Sequence, residues 1–421
     1  MSSNAGSVET VIGLPFFTAP DPALVRATSV RDPVGVLPVW SGIGRELVPN
    51  LASGVSILDG IKGVLLIHWL TQNPLKDLAD RKFRACFRLL EGMLEYYLWA
   101  EPGKLHCYGT RALGSPGGFQ VNTRDASTVV NGLYQYYSGS CRRAGLLDGE
   151  WNLAPEVAIA LKQCWSAAAT QALKPDFQRV LEDSRLSYRP QEVLAASEPL
   201  RAALRKVFAS EPLTKVLQVR LLGNAAQVAL ARHCAAIRGQ KPPSPDRFVA
   251  QLAQRLQDAP DAASALLPSL TRVADCEQFL VVLQDSFDLL RALDRHPLDH
   301  AAAFLEPQHA AHKAKAERFV ALFDANASER DGQIALLAGH LAQGSPLSFL
   351  QELVGHHQRL VRERGAEPLL AIEEGRVVSP LGEDRKLPEV RQRLAGGTPW
   401  INGYYLATAG TIHTQLFKEG A

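Results

Sequence analysis

The stretch DASTVVNGLYQYYSGSCRRAGLLDGEWNLAPEVAIAL, Asp125–Leu161, decides how the chain is read. Asp125 or Ser127 offers a side-chain oxygen to the unpaired amides at a helix start. The helix runs to about Ala144, where Gly145 accommodates a left-handed C-cap. Leu146-Leu147 then predicts a short strand, Asp148-Gly149 a tight turn, and Trp151-Asn152-Leu153 the return strand. Ala154-Pro155-Glu156 opens the next helix, with its proline in the first turn, where no amide bond is lost. A helix, a break, a hairpin and a helix in that order predict a winged helix-turn-helix over about residues 122–165.

Such a fold lays one helix in the DNA major groove and leaves its hairpin near the backbone. The recognition helix would be about Thr128–Ala144. Asn122, Thr123, Arg124, Thr128, Asn131 and Gln135 would reach base edges or phosphates, and Arg142 and Arg143 would clamp phosphate beside the wing. The same helix carries Tyr134, Tyr136 and Tyr137, which equally suit a protein contact or a packing role. Upstream, Asp77–Trp99 predicts an amphipathic helix, because Leu78, Phe83, Phe87, Leu90, Leu94 and Tyr97 recur at three- and four-residue steps. Arg81, Lys82, Arg84 and Arg88 crowd its first half, either as a solvated face or as a basic stripe facing phosphate.

Around these segments the chain reads as mainly α-helical. Its 421 residues allow two or three domains, and 46% hydrophobic residues suffice for a buried core. Residues 1–30 read as a flexible arm, 31–165 as an N-terminal helical domain holding the winged-helix segment, 166–240 as a helical region, and 247–421 as a C-terminal helical domain. KPPSPD, Lys241–Asp246, is the linker composition suggests. A short helix is expected near Trp40–Leu47 and a longer one near Ile57–Leu70. Later ones are expected at Arg247–Gln257, Ala262–Ala274, Cys276–Leu293, Glu306–Asp324, Asp331–Ala342 and Ser348–Gly365. EPLLAIEEGRVVSPL turns at Glu374-Gly375 and predicts a small β-hairpin, and the segment from Gly397 predicts a last helix with Trp400, Tyr404 and Tyr405 on a core-facing side.

Net charge is only +2, so any nucleic-acid role rests on local patches. The six cysteines form no CxxC pair and read as reduced thiols. The N-terminal residues lack the pattern of a signal peptide, and the longest apolar run, Gly63–Leu70, is too short to span a bilayer. A soluble cytoplasmic protein with no membrane role is therefore expected. No catalytic motif emerges. His296/His300 and His309/His312 have helical spacing, but Pro297 interrupts the first pair and no HExxH acid accompanies either, so no metal or cofactor is expected. Phosphate loops and a GxSxG elbow are absent. Asp176, Glu182 and Asp183, or Glu373, Glu374 and Asp384, would have to be gathered by folding to serve a cryptic nuclease.

Three separated pieces carry a resemblance: Arg31-Asp32-Pro33-Val34-Gly35 with the helix ending at His68-Trp69-Leu70; Gly132–Glu156; and Arg362–Val378 with Pro399–Leu406. Together they resemble accessory proteins encoded in bacterial defence islands, that is, anti-phage operons. The resemblance implies a helper subunit working beside a helicase, nuclease or ATPase, and it supplies no catalytic residue. The expected function is a non-catalytic, DNA-engaging or scaffolding subunit. The alternatives are a cryptic nuclease or effector enzyme of such a system, and a winged-helix transcriptional regulator.

Overall fold

A computed structural model of the chain describes residues 32–55, 57–100, 113–114, 118–123, 132–239, 241–258, 260–323, 329–379, 386–397 and 400–417. The expectations placed on Arg124, Thr128 and Asn131, on capping by Asp125 or Ser127, and on the arm at 1–30 lie outside the described residues. The fold is mainly helical, with two short antiparallel strand pairs among the described residues.

In chain order the elements are α1 (Leu37–Leu47), α2 (Leu58–Gln72), α3 (Lys76–Ala100), β1 (Val121–Asn122), α4 (Leu133–Arg143), α5 (Pro155–Cys164), α6 (Ala167–Glu182), β2 (Ser187–Tyr188), α7 (Pro190–Ala196), α8 (Glu198–Phe208), α9 (Glu211–Arg220), α10 (Ala225–Arg238), α11 (Pro245–Asp258) and α12 (Leu267–Ala292). There follow α13 (Leu298–Leu305), α14 (His309–Val320), α15 (Glu329–Gln343), α16 (Pro346–Glu363), β3 (Ala371–Glu373), β4 (Arg376–Val378), α17 (Leu387–Gln392) and α18 (Leu406–Leu416).

Two units result, and neither follows the expected sequential division. One joins Trp40–Glu277 to the described residues of Pro399–Ala421, and the other joins the described residues of Met1–Val39 to those of Gln278–Thr398. Two of the three boundaries fall inside α1 and α12, where no change of composition marks them. KPPSPD is only a connection between α10 and α11 within the first unit.

That first unit is built on α2, which is apolar on every side: from Leu58 to Thr71 all its residues except Asp59 are buried. A helix of this kind has to be surrounded, and α3, α4, α5 and α8 pack against it. Gly60 lets α4 come close, since a Cβ there would lie 2.3 Å from the ring of the fully buried Tyr137. The outer helices have ordinary start signals. Ser197 and Ser210 accept the Leu200 and Leu213 amides as N-caps of α8 and α9, each with a proline in the first turn. α18 packs on α10 and also meets α2. Ahead of α18, Glu277 accepts the Ile401 and Asn402 amides at 2.8 and 2.9 Å, the Asn402 side chain at 3.0 Å and the Tyr404 hydroxyl at 2.7 Å. The last helix, expected from Gly397, begins only at Leu406, so Trp400, Tyr404 and Tyr405 precede it; Tyr404 and Tyr405 are buried against Trp40, whereas Trp400 is partly exposed.

In the second unit α16 packs against α13 and α15. Asp32 receives the Val36 and Leu37 amides at 2.8 and 3.1 Å and so opens α1. His357 donates from Nδ1 to the Pro33 carbonyl at 2.8 Å and accepts the Leu369 amide on Nε2 at 2.8 Å, a set of partners that requires a neutral ring. The expected hairpin is present as β3–β4, its turn residues Glu374 and Gly375 both at positive φ, 50° and 74°.

Three expectations are corrected. The helices expected at Ala262–Ala274 and Cys276–Leu293 are a single α12 from Leu267, preceded by a 3-10 turn. Buried Leu270, Val273, Cys276, Leu280 and Leu283 continue the helical period with no breaker between them. The helix expected from Thr128 begins at Leu133, with Gly132 extended as its N-cap. The expected two-stranded wing is reduced to one bridge, Leu147 to Leu153, flanked by the Asp148 amide on the Asn152 carbonyl at 2.9 Å and the Ala154 amide on the Leu146 carbonyl at 3.1 Å, with the Asp148 side chain holding the turn.

Candidate functional site

α3 is not one straight rod. Lys82 leaves helical geometry (φ −145°, ψ 59°), and its ammonium group donates to the Leu181 carbonyl. Beyond this break the sequence Phe83-Arg84, Phe87-Arg88 and Glu91 repeats at four-residue steps, which puts these side chains on one stripe of the helix. The stripe forms a wall of a cavity of about 430 Å³, completed by His68 of α2, Tyr134 of α4 and Trp151 of the following loop.

The aromatic lining closes on itself. The His68 ring lies parallel to Trp151 (3° between planes, centroids 5.6 Å apart), and Trp151 meets Tyr134 at 5.4 Å. Tyr134 meets Phe87 edge-on at 5.2 Å, and Phe87 meets His68 at 5.6 Å. Phe83, expected on the apolar face, is instead half exposed at the rim, 5.8 Å from Phe87.

Trp151 is held in an unfavourable backbone conformation, with φ at 69°, a region a bulky side chain rarely occupies. The turn around it supplies the constraint. Asp148 accepts the Glu150 and Asn152 amides at 2.8 Å each, and Gln72 donates to the Trp151 carbonyl at 2.7 Å.

Charge is arranged around these rings. Arg84 and Arg88 line the cavity, and the Arg142 guanidinium lies 4.7 Å from the centre of the Trp151 ring, within cation–π range. Arg142 also lines a neighbouring hollow of about 530 Å³ with Arg143, Gly145 and Asp148. Burial holds the His68 imidazole down at about 4, so it is neutral at physiological pH, and its Nε2 has no hydrogen-bond partner among the described residues.

Glu91 and Glu95, one turn apart on α3, take over the start of α4. Glu91 Oε1 accepts the Tyr134 amide at 2.8 Å, and Glu95 Oε1 accepts the Leu133 amide at 3.1 Å. This explains how α4 begins without a side-chain cap of its own. Burial raises both carboxyls, opposed at Glu91 by the Tyr134 amide and Arg88. Glu95 reaches about 9, with Glu91 adding repulsion. Glu91 therefore lines the cavity with one oxygen engaged, while no hydrogen bond among the described residues takes Oε2.

The expected site residues separate into three sets. Arg84 and Arg88 line the cavity, with the Arg88 guanidinium donating to the Thr123 carbonyl at 3.3 Å, and Arg142 lies outside that lining, against the Trp151 ring. Arg81 and Gln135 are exposed, as is Lys82 apart from its tie to Leu181. Arg143 is half buried and donates to the Asn50 carbonyl at 3.3 Å and the Ser140 hydroxyl at 3.1 Å, which gives it a structural tie rather than an open clamp. His68, Phe83, Phe87, Glu91, Tyr134 and Trp151 were not singled out from the sequence as a site. The usable signal was the doubled Phe-Arg step followed by a glutamate, which a core-periodicity reading absorbs.

Among the described residues no three His, Cys, Asp or Glu side chains gather as a metal-binding group, and no disulfide joins the described cysteines. Asp176, Glu182 and Asp183 instead meet local partners, Arg179, Gln178 and Arg185. No described helix is long and apolar enough to cross a membrane. Comparison with protein-family models, with curated proteins and with solved structures finds no match.

Proposed function

We propose that this chain is a non-catalytic subunit that engages DNA, serving beside a helicase, nuclease or ATPase in a bacterial anti-phage defence complex, and that the aromatic–arginine cavity is where the nucleic acid is held. One observation carries the DNA part of this reading. The first half of α3 and the end of α4 lie 54 to 58 residues apart in sequence (Arg84 or Arg88 to Arg142), yet their arginines meet around one ring of aromatic side chains. Aromatic faces that stack bases, interleaved with guanidinium groups that neutralise phosphate, are what single strands require. The defence setting rests on the resemblance of the three sequence segments.

This reading replaces groove insertion of a recognition helix as the primary contact. Tyr134 of α4 is turned into the cavity wall, and Arg143 is tied to Asn50. Scaffolding remains the alternative for the helical surface. A fluorescence-anisotropy titration with single-stranded and duplex oligonucleotides at two salt concentrations tests the proposal. Binding that weakens steeply with salt, and is tighter for the single strand, is the expected result. Absence of binding at low salt would leave a protein-docking scaffold instead.

A further inference from the structure

We infer that His296 and His300, in the second unit, form a binding site for one divalent transition-metal ion of the zinc or copper kind, a role separate from the cavity and from the nucleic-acid reading. Pro297 breaks the helical spacing between the two, so the sequence alone shows no chelating pair. The fold restores one. Arg295 makes a left-handed turn at the end of α12, with φ at 63°. The β3–β4 hairpin then grips the segment that follows. The Arg295 amide meets the Val377 carbonyl at 2.7 Å, the Val377 amide meets the His296 carbonyl at 2.9 Å, and the Leu298 amide meets the Gly375 carbonyl at 3.0 Å. His296 is thereby fixed beside the first turn of α13, its ring centroid 5.5 Å from that of His300.

The chemistry of the pair is that of metal ligands. Both residues are exposed. His296 Nδ1 lies 3.0 Å from the Asp294 carbonyl. A carbonyl only accepts, so Nδ1 carries the proton and Nε2 keeps a free lone pair, the arrangement that orients a metal-bound imidazole. The His300 ring is backed by Phe304 at 5.1 Å. Two imidazole nitrogens at about 2.0–2.1 Å from one tetrahedral ion place their ring centres about 5 Å apart, close to the observed spacing. Histidine χ2 is soft enough to turn both nitrogens to one point. Imidazole selects zinc or copper, whereas magnesium and calcium require oxygen. The nearby cations are engaged: Arg295 with the Asp294 carboxylate at 3.7 Å, Arg376 with the Arg295 carbonyl at 3.1 Å, and Arg391 with the Phe304 ring at 4.7 Å. Asp294 and Asp299 flank the pair and offset the positive end of α13. No third His, Cys, Asp or Glu joins among the described residues, so water completes the coordination and the ion is exchangeable.

The test titrates the full chain with copper(II) and with zinc(II) by calorimetry, and records the copper(II) electron paramagnetic resonance spectrum. The expected result is one equivalent of metal whose affinity falls at least about tenfold in His296→Ala and in His300→Ala. His340→Ala, which removes an exposed histidine of α15, should leave it unchanged. Copper(II) should bind more tightly than zinc(II), and magnesium should not compete. The spectrum should show two imidazole nitrogens on the ion. Lowering the pH from about 7.5 to about 5.5 should release it, because protons compete for imidazole nitrogen. Should either variant lose the circular dichroism of the unaltered chain, the two-nitrogen spectrum of that chain still decides. Absence of saturable binding overturns the inference. So does binding that is identical in both variants and the unaltered chain, or a spectrum of thiolate ligation without imidazole. Each of these results leaves the DNA reading standing, since the cavity belongs to the other unit.

Discussion

Trp151 concentrates the account at the scale of one residue. It stacks on His68, contacts Tyr134 and lies beneath Arg142, and it does so from a left-handed backbone position that the Asp148 turn enforces. Because it is only partly buried, Trp151→Ala should leave helix content unchanged by circular dichroism. It should also weaken single-strand binding by roughly 5- to 150-fold, the range of one lost base stack. Unchanged affinity in the folded variant would remove Trp151 from the site. At this scale the sequence disclosed the charges and concealed the rings. Arg84, Arg88 and Arg142 are conspicuous as cations, whereas Phe87 has the spacing of any core residue and Trp151 that of a strand residue. What makes them a site is the proximity of α2, α3, α4 and the loop after α4, which local periodicity does not encode.

At the scale of the element, α4 depends on α3 for its first hydrogen bonds. Glu95 holds its proton up to about 9 in the folded chain, against an ordinary value of 4.5. Between those values the folded state binds more protons than the unfolded state, so stability is full below about pH 4.5 and is lost as pH rises toward 9, at no more than about 1.4 kcal/mol per unit. Urea midpoints measured from pH 5 to pH 9 should therefore fall more steeply for the unaltered chain than for Glu95→Gln. Parallel slopes would show that Glu95 is already ionised in the fold. The Glu277 clip gives a second expectation. Glu277→Ala strands the Ile401 and Asn402 amides and the Tyr404 hydroxyl in a buried setting, and should cost on the order of 3 kcal/mol. A denaturant midpoint within error of the unaltered chain would contradict it. Elements were legible where the signal is local. The β3–β4 turn follows from Glu374-Gly375. The start of α4 was not legible, since its amides are satisfied by side chains some forty residues earlier.

For the whole molecule, the instructive feature is that α18 completes a unit begun at Trp40. Gln415 accepts the Leu58 amide at 2.6 Å, Gln218 donates to the Leu416 carbonyl at 2.6 Å, and Gly410 brings α18 so near α10 that a Cβ would lie 2.7 Å from the Cys234 carbonyl carbon. Removing residues 399–421 should lower the melting temperature of the unit by more than 10 °C, or abolish its cooperative transition, as followed by circular dichroism. An unchanged melting temperature would mean that α18 is dispensable. No linker announced this arrangement: of the three crossings between units, those at Val39–Trp40 and Glu277–Gln278 lie within helices.

The central claim is that arginines from α3 and α4 hold one nucleic-acid strand at one cavity. The direct measurement is single-strand affinity at low salt for Arg84→Glu/Arg142→Glu, set against Arg255→Glu on the exposed side of α11 as a control. The double variant should bind at least tenfold more weakly, and the control should change little. Equal affinity of the double variant and the unaltered chain would contradict it.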